Sequence, residues 1–167
     1  DFARQLLSNG KLVAGRKSAL QFRTTGKIAA INVRNGEYVS SGAVIATVDR
    51  PDLKLSQESS RLSLRKAELD LYDYLVGQGY SAGDTTSVPA DLLAMAKMKS
   101  GYSAAKNDFA RSSYEIAGTV LHAPFSGRVA DIKQKPFDQS PSGTFCTIVD
   151  DSVLEVDFSV LESDYSF

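Results

Sequence analysis

The sequence contains few of the residues that build catalytic or metal centres. It has one cysteine, Cys146, one histidine, His122, and no tryptophan among 167 residues. A single cysteine excludes an internal disulfide and a multi-cysteine metal site, and a single histidine excludes a histidine cluster. We expect Cys146 to be a buried structural thiol, because it stands at an apolar position of a repeat. We expect His122 to be solvated or partly packed.

Net charge and long apolar runs are also scarce. The net charge is -1, so the chain has no basic field that would favour nucleic acid. No apolar run reaches the roughly 20 residues that a membrane-spanning helix needs. Aspartates such as Asp131 and Asp138 do not fall into a twelve-residue calcium loop. We therefore expect no metal and no cofactor. The sequence starts and stops in mid-pattern, as a piece of a longer protein would.

What the sequence does contain is an internal repeat. The segment Gly26–Asp49 recurs without a gap at Gly127–Asp150, with seven of the twenty-four aligned positions identical. The two copies are separated by a segment of helical composition. We predict that the copies pair into one small β unit with pseudo-two-fold symmetry, and that this unit has been split by an insertion.

Turn residues divide each copy into short strands. In the first copy Asn35-Gly36 predicts a hairpin turn whose two central residues both have positive φ. In the second copy Pro136-Phe137 replaces that pair, so we expect a loop of different shape. The residues expected at structural turns of the two copies are Asn35, Gly36, Gly42, Gly127 and Gly143.

Between the copies the sequence predicts two helices, from Leu53 to Val76 and from Pro89 to about Ala117. The first helix has two apolar stripes. One is Leu55, Leu62, Leu69 and Val76, and the other is Leu64, Ala67, Leu71 and Tyr74 or Leu75. In the second helix the heptad positions predict a seam that packs against leucines of the first helix. Its members are Met95, Met98, Tyr102, Ala105, Phe109 and Ile116. Two such helices joined by a short loop should form an antiparallel coiled-coil hairpin.

A helix of this length spans roughly 37 Å at about 1.5 Å per residue. Such a hairpin is longer than the small β unit, so we expect it to project from that unit. Its far end is the loop Gly77–Val88. A projecting rod with polar outer faces suits a spacer or a docking surface better than a catalytic pocket.

The split repeat, the inserted hairpin and the phrases TGKIAAINVRNGEYVSSGAVIATVD and VLHAPFSGRVADI resemble a known family. This family comprises the periplasmic adaptor subunits, or membrane fusion proteins of the HlyD-like type, of bacterial tripartite efflux pumps. In that family an Ala-Pro-Phe-x-Gly phrase opens the second half-motif, as Ala123–Gly127 does here. A β-barrel domain follows, and Val160, Glu162 and Asp164 stand where its first phrase would be.

The resemblance implies a fold that is mainly β with an inserted α-helical coiled-coil hairpin. A lipoyl-like (barrel-sandwich hybrid) unit, residues 23–50 and 119–150, would be split by the hairpin at 51–118. Residues 1–22 and 151–167 would be the edges of an incomplete β-barrel domain. The resemblance also implies a non-catalytic protein in the periplasm, attached to the inner membrane through an anchor outside this sequence.

The partners that the resemblance implies are an inner-membrane transporter, of the resistance-nodulation-division (RND) type, and a TolC-like duct in the outer membrane. The adaptor would act as a homo-oligomeric ring, commonly hexameric. The hairpin tip would contact the duct through Leu71, Leu75, Gly79 and Ser81. Many RND adaptors carry Arg, then Leu, then Ser at the tip. Here Leu75 and Ser81 fill the last two places, with one residue fewer between them, and Leu71 stands in the Arg place. The alternative pair Arg65 and Leu69 has Val76 in the Ser place, so we expect a duct contact that differs from that of those adaptors.

Two alternatives stay open. One is an adaptor for an ABC-type exporter or a type I secretion system. The other belongs to a different class, a carrier domain whose lysine holds lipoate or biotin, because the phrase AMAKMK at residues 94–99 is similar to a biotin-acceptor phrase. A carrier lysine sits at a tight β-turn, whereas Lys97 and Lys99 fall inside a predicted helix.

Overall fold

The computed structural model describes the backbone of residues 10–158 and the side chains of residues 15–150 and Ser152. The strands are β1 (Gly10–Leu20), β2 (Lys27–Ile31), β3 (Tyr38–Val39), β4 (Val44–Asp49), β5 (Val120–His122), β6 (Gly127–Ala130) and β7 (Cys146–Phe158). The helices are α1 (Pro51–Gly77), α2 (Ala90–Lys99) and α3 (Tyr102–Ala117). Two compact units result. Of the described residues, one unit contains 10–22, Ile28–Thr47 and 121–158, and the other contains Arg23–Lys27 and Val48–Val120.

The β unit consists of two sheets, and one of them contains strands from both copies of the repeat. One sheet has the order β1-β7-β6-β3 and the other β2-β4-β5. Strand β3 belongs to the first copy but pairs with β6 of the second, with Tyr38 opposite Arg128 and Val39 opposite Gly127. The prediction that the copies form one paired unit is therefore confirmed. The fold class is the expected one, a sheet-rich unit split by an α-helical hairpin.

Each copy forms the same pair of backbone hydrogen bonds with the other copy, at places related by the pseudo-two-fold axis. Val129 donates to Glu37 O at 2.9 Å and accepts from Gly36 N at 2.7 Å. At the equivalent place Ile28 donates to Asp138 O at 2.8 Å and accepts from Phe137 N at 2.9 Å. At its first turn, each copy thus makes backbone hydrogen bonds with a strand of the other copy. The predicted hairpin at Asn35-Gly36 is wrong, because β2 and β3 lie in different sheets.

The geometry of this turn also differs from the prediction. Glu37 N donates to Arg34 O at 3.1 Å, and Gly36 has φ 86° while Asn35 is not among the residues with positive φ. One positive φ, at the third residue of the four, is typical of a type II turn. The Asn35 side chain instead mimics a strand partner, since it accepts from Ile132 N at 2.9 Å and donates to Ile132 O at 3.0 Å.

The second copy has the same turn, and the expectation of a different shape is wrong. Asp138 N donates to Lys135 O at 3.1 Å, and Phe137 has φ 75°. Lys135 N donates to the Asp138 carboxylate at 2.7 Å, as Arg34 N donates to the Glu37 carboxylate at 2.9 Å. The tertiary exchange of hydrogen bonds therefore fixes the turn even where the residue is a phenylalanine.

The first glycine of each copy lies close to the last strand of that copy. The expectation of a turn at Gly127 is wrong, because this residue begins β6. A Cβ on Gly127 would be 2.5 Å from Val149 O, and a Cβ on Gly26 would be 2.6 Å from the Val48 side chain. Gly42 lies in a turn with φ 81°. Gly143 lies in a bend without positive φ, so only Gly42 uses the left-handed region at this place.

The core of the β unit is formed by apolar side chains from both sheets. The residues with the smallest exposure include Ile28, Ile45, Val129, Phe145 and Ile148. Cys146 is fully buried among them, as predicted, and burial raises the pKa of its thiol to about 11. His122 is exposed, and its Nδ1 lies 3.1 Å from Gly42 O.

Strand β7 continues without a break through Asp150 and pairs with β1 over Gly10–Leu20, with one irregularity between Ala14 and Arg16. The assignment of residues 1–22 and 151–167 to a separate barrel, and the other domain bounds, stay predictions. The phrase Val160, Glu162 and Asp164 lies outside the described residues.

The second predicted helix is two helices, because the chain breaks at Ser100-Gly101. Gly101 has φ 70°, in the left-handed region, and precedes α3. This residue rotates the helical phase, so that α2 turns Ala96 inward while Met95 and Met98 are 50% and 78% exposed. The predicted placement of both methionines in the seam is wrong. Tyr102, Ala105, Phe109 and Ile116 of α3 are partly buried, as expected.

Helix α1 buries its second stripe and exposes its first. Ala67, Leu71 and Leu75 are 7%, 2% and 1% exposed. Leu55, Leu62, Leu69 and Val76 are 72%, 58%, 51% and 49% exposed. The inner face of α1 continues toward Pro51 with polar residues. Ser60 Oγ lies 2.6 Å from Ser112 Oγ, and Gln57 donates to Ser113 Oγ at 3.2 Å.

Candidate functional site

The candidate site is the end of the helical hairpin where α1 meets α2, which we call the tip. The tip has its own apolar core, formed by Leu71, Leu75, Val88 and Ala96. Partly buried aromatic and leucine side chains cover it, namely Tyr72, Tyr74, Tyr80, Leu92, Leu93 and Tyr102. The tip is therefore packed, whereas the opposite half of the α1–α3 seam is held by hydroxyl contacts.

The end of α1 is defined by a Schellman motif centred on Gly79. Gly79 N donates to Val76 O at 2.9 Å and Tyr80 N donates to Leu75 O at 3.1 Å. Gly79 has φ 90°, which a residue with a Cβ adopts only at a cost. Tyr80 then packs on the core that contains Leu75, the hydrophobic contact that accompanies this motif. The motif fixes the direction in which the chain leaves the helix.

The remainder of the loop is organised by the Asp84 carboxylate. It accepts from Thr86 N at 2.9 Å, from Thr86 Oγ1 at 2.7 Å and from Ser87 Oγ at 2.9 Å. These bonds, those of Thr86 foremost, lower the pKa of Asp84 to about 2. Asp84 was not among the site residues expected from the sequence. The signal was present, since an aspartate followed by threonine and serine favours a side-chain-capped turn.

The four residues predicted to contact a duct occupy different environments in the tip. Leu71 and Leu75 are buried, so their side chains support the surface from beneath. Gly79 holds the chain reversal. Ser81 is exposed and lies in the loop between the Schellman motif and the Asp84 turn. Of the four, only Ser81 presents a side chain to solvent.

Tyrosines and lysines surround the packed core. Lys99 Nζ lies 5.2 Å from the Tyr74 ring centre and 3.5 Å from its hydroxyl oxygen. The Tyr72 hydroxyl donates to Glu68 at 3.3 Å, and the nearby carboxylate of Glu68 raises the pKa of Tyr72. Both Lys97 and Lys99 lie in α2, not at a β-turn. Their backbone setting therefore differs from that of a carrier lysine.

A polar groove of about 370 Å³ lies between α1 and α3 away from the tip. Ser56, Ser59, Ser60 and Ser63 line it on α1, with Asp108, Arg111, Ser112 and Glu115 on α3. Among the described side chains, those of residues 15–150 and Ser152, no group of three or more from His, Cys, Asp or Glu is placed to hold a metal ion. Among the described helices, none combines the length and the apolarity that crossing a membrane requires.

Comparisons with known proteins identify the fold. No family model matches the chain. An uncharacterized Escherichia coli K12 protein, YdhJ, is 22% identical over 144 residues, which cover 81% of this chain and 49% of YdhJ. A MacA–MexA chimeric protein that contains the Pseudomonas aeruginosa MexA α-hairpin domain superposes with a TM-score of 0.75 and 18% identity. The superposed region covers 93% of this chain and 53% of the chimera.

A putative efflux transporter from Bacteroides eggerthii has a TM-score of 0.67 and 20% identity, covering 96% of this chain and 50% of that one. Other solved structures of similar fold include a membrane fusion protein and a periplasmic adaptor protein. The chain spans about half the length of YdhJ and of the first two structures. The fold is therefore that of a membrane fusion protein fragment with its α-hairpin.

Proposed function

We propose that this chain is the central part of a non-catalytic periplasmic adaptor in a tripartite efflux assembly. The adaptor bridges an inner-membrane transporter and a duct in the outer membrane, and it acts as a ring of identical subunits, six in our proposal. The observation that carries the proposal is the likeness of 93% of the chain, split repeat and hairpin together, to the MacA–MexA chimera. Residues missing from this sequence would supply the anchor to the inner membrane.

The tip is the proposed contact for a TolC-like duct. Its packed core and the Schellman turn anchor the start of the loop, which reduces the ordering cost of binding. The exposed contact residues are Ser81 and its neighbours in the loop, while Leu71, Leu75 and Gly79 keep that loop in place. A partner could therefore be bound without unfolding any part of the hairpin.

The transporter in our proposal is of the RND type, and an ABC-type exporter or type I secretion system is the alternative. Adaptors of both kinds belong to the family that this chain resembles, so the architecture alone does not distinguish them. Affinity purification of the full-length adaptor from membranes, followed by mass spectrometry of the inner-membrane proteins that accompany it, distinguishes them. Recovery of an ATP-binding transporter subunit in place of an RND protein would reject the RND assignment.

The test of the function is efflux in cells of the native host. Deleting the gene should raise the accumulation of a fluorescent pump substrate, and the full-length gene should restore it. Ser81→Arg should abolish this rescue, because it places a large cation on the proposed contact surface. Ser59→Arg is the matched control, since Ser59 is also exposed on the hairpin but lies on α1, away from the tip.

Adaptor level and thermal stability are measured for both variants. If the Ser81→Arg variant restores efflux fully, the proposed contact between the tip and the duct is rejected. Unchanged accumulation after gene deletion, across a panel of substrates, would reject the adaptor function itself.

A further inference from the structure

The turn residues Asn35 and Gly36 form a dipeptide whose two members react readily with each other. After it loses its proton, the Gly36 nitrogen can attack the side-chain carbonyl carbon of Asn35 and close a five-membered succinimide ring. Glycine has no side chain to hinder that approach. Both residues are exposed, so water and hydroxide reach them. The groups for a spontaneous modification therefore lie at the point where the first copy of the repeat bonds to the second.

The folded turn keeps these groups from reacting. Gly36 N–H donates to Val129 O at 2.7 Å, so the nucleophilic nitrogen holds its proton in a hydrogen bond. The Asn35 side chain donates to Ile132 O at 3.0 Å and accepts from Ile132 N at 2.9 Å, which fixes its direction. In a type II turn the first central residue has ψ of about 120°, and the following nitrogen then does not eclipse its Cβ. Ring closure needs a rotation about this bond.

The hydrogen-bond partners that impose this restraint all belong to the second copy. Val129 holds the Gly36 nitrogen, and Ile132 holds both polar atoms of the Asn35 side chain. Separation of the two copies therefore frees the nucleophile, the side chain and the turn at the same time. Folded proteins undergo such partial openings without unfolding completely.

We propose that Asn35 is a site of spontaneous deamidation, that separation of the two copies sets its rate, and that its product keeps them apart. In the open state hydroxide takes the Gly36 amide proton. The bond from Gly36 N to Asn35 Cγ forms, the bond from Cγ to Nδ2 breaks, and ammonia leaves with a proton from water. Water then opens the imide on either side of its nitrogen and leaves an aspartate or an isoaspartate at position 35. The sum is one water consumed and one ammonia released, without any redox step.

Neither product can restore the original contacts. An aspartate at position 35 has no proton to donate to Ile132 O, and its negative charge would lie beside that carbonyl. An isoaspartate passes the main chain through the former side chain, so an added methylene displaces the Gly36 nitrogen from Val129 O. The equivalent turn of the second copy has Pro136-Phe137, which carries no side-chain amide. The modification thus acts on one of the two symmetry-related contacts and makes a transient opening permanent.

The rate of modification is measured on the purified chain at mildly alkaline pH. Incubation in water enriched in heavy oxygen labels each newly formed carboxylate, and mass spectrometry of tryptic peptides gives the fraction modified. Trypsin separates Asn35 from the other Asn-Gly of the chain, Asn9-Gly10, whose asparagine lies outside the described residues. Asn35 should react at least about tenfold faster in the same chain unfolded by urea, because the open state is a minor population of the folded protein.

Two core variants test what controls the rate. Ile45 is fully buried in the β unit, and Ile45→Val should speed the reaction about two- to tenfold, the factor that such a substitution ordinarily gives. Leu75→Ala weakens the tip core of the other unit and should leave the rate at Asn35 unchanged. Circular dichroism checks that both variants are folded. Hydrogen exchange of the Gly36 amide reports the same opening and should change by the same factor as deamidation in each variant.

The effect of the product is tested with Asn35→Asp. Exchange of the Gly36 amide should be at least about fivefold faster than in the parent, because a hydrogen bond is lost and a charge is left beside a carbonyl. Asn32→Asp is the matched control, since it makes the same charge change at another exposed asparagine of the first copy. It should change this exchange rate by less than about twofold.

Three results would overturn the proposal. Equal reaction rates in the folded and the urea-unfolded chain would mean that the fold gives no protection. Equal acceleration by Leu75→Ala and Ile45→Val would mean that unfolding of the whole chain, and not separation of the copies, exposes the site. Unchanged amide exchange in Asn35→Asp would mean that the product lets the copies close again. Every readout is chemical and uses purified protein, so the inference stands or fails independently of the proposed efflux function.

Discussion

Phe137 adopts the left-handed backbone conformation that Gly36 has at the same turn of the first copy, with φ 75° and 86° respectively. In both turns the residue donates its N–H across the pseudo-two-fold axis, Gly36 to Val129 O and Phe137 to Ile28 O. The hydrogen bonds of the exchange therefore hold a bulky residue in a conformation that it rarely adopts alone.

Replacing Phe137 with glycine should stabilise the β unit. The left-handed conformation costs a residue with a Cβ about 1–2 kcal/mol, and the greater freedom of glycine in the unfolded chain offsets about 0.5–1 kcal/mol of the gain. The ring is 74% exposed, so little burial is lost. We expect the free energy of unfolding in urea to rise by about 0.5–1 kcal/mol.

Gly36→Ala is the converse control. A Cβ at Gly36 would meet nothing within 4 Å, so only the backbone strain remains, and we expect a loss of about 1 kcal/mol. A clear loss of stability in Phe137→Gly would show instead that contacts of the ring outweigh the strain.

The sequence predicted the repeat, the split and the hairpin, because these depend on local pattern and chain order. It did not predict the crossing of the two copies. Asn35-Gly36 is a strong hairpin signal, but the turn is used to pass from one sheet to the other. The partner of β3 is β6, far away in sequence, and no local pattern encodes that choice.

The tip and seam were predicted only in part, for a similar reason. Helix α1 has two stripes of heptad spacing, and the sequence did not decide which of them faces the second helix. In the structure the stripe with Leu71 and Leu75 is buried, and the polar half of the seam is satisfied by hydrogen bonds of Ser60 and Gln57 with Ser112 and Ser113. The sequence predicted one continuous second helix, whereas Gly101, with its left-handed φ, separates α2 from α3.

Leu75 and Leu69 should differ sharply in their contribution to stability. Leu75 is 1% exposed in the tip core, and Leu69 is 51% exposed on the outer stripe. Leu75→Ala should lower the free energy of unfolding by about 3 kcal/mol, within the range for buried leucines. Leu69→Ala should change it by at most about 0.5 kcal/mol. Urea unfolding at low protein concentration, where self-association is negligible, measures both, and equal losses would contradict the assignment of the two stripes.

Gly79 and Gly77 form a matched pair at the end of α1. A Cβ at either position would meet nothing within 4 Å, but only Gly79 has positive φ. Gly79→Ala should therefore destabilise the hairpin by about 1 kcal/mol, while Gly77→Ala should stabilise it by about 0.5–1 kcal/mol. Thermal unfolding followed by circular dichroism at 222 nm reports the helices. A shift of the same sign in both variants would mean that the Schellman motif does not define this helix end.

Asp150 should make the β unit less stable in acid. The Ser152 hydroxyl donates to Asp150 Oδ1 at 2.5 Å, and Arg16 Nη2 lies 2.6 Å from Oδ2. The bonds from Ser152 and then from Arg16 lower the pKa of Asp150 to about 2, from an ordinary value of 3.8. Since the folded state has the lower pKa, this stability is fully present above about pH 4 and is lost as the pH falls from about 4 to 2.

Asp150→Asn removes the titration but keeps the shape of the side chain. The variant should be less stable than the parent at pH 6, and the difference between the two proteins should shrink as the pH falls, until their urea midpoints converge near pH 2. Ser152→Ala, which removes one donor and leaves Arg16 in place, should show a smaller loss with the same pH dependence. Urea midpoints measured between pH 2 and 6 decide the matter. Parallel curves for the parent and Asp150→Asn across this window would show that the carboxylate gains no stabilisation from these contacts. The pairing of β1 with β7 would then stabilise this edge of the sheet without the carboxylate.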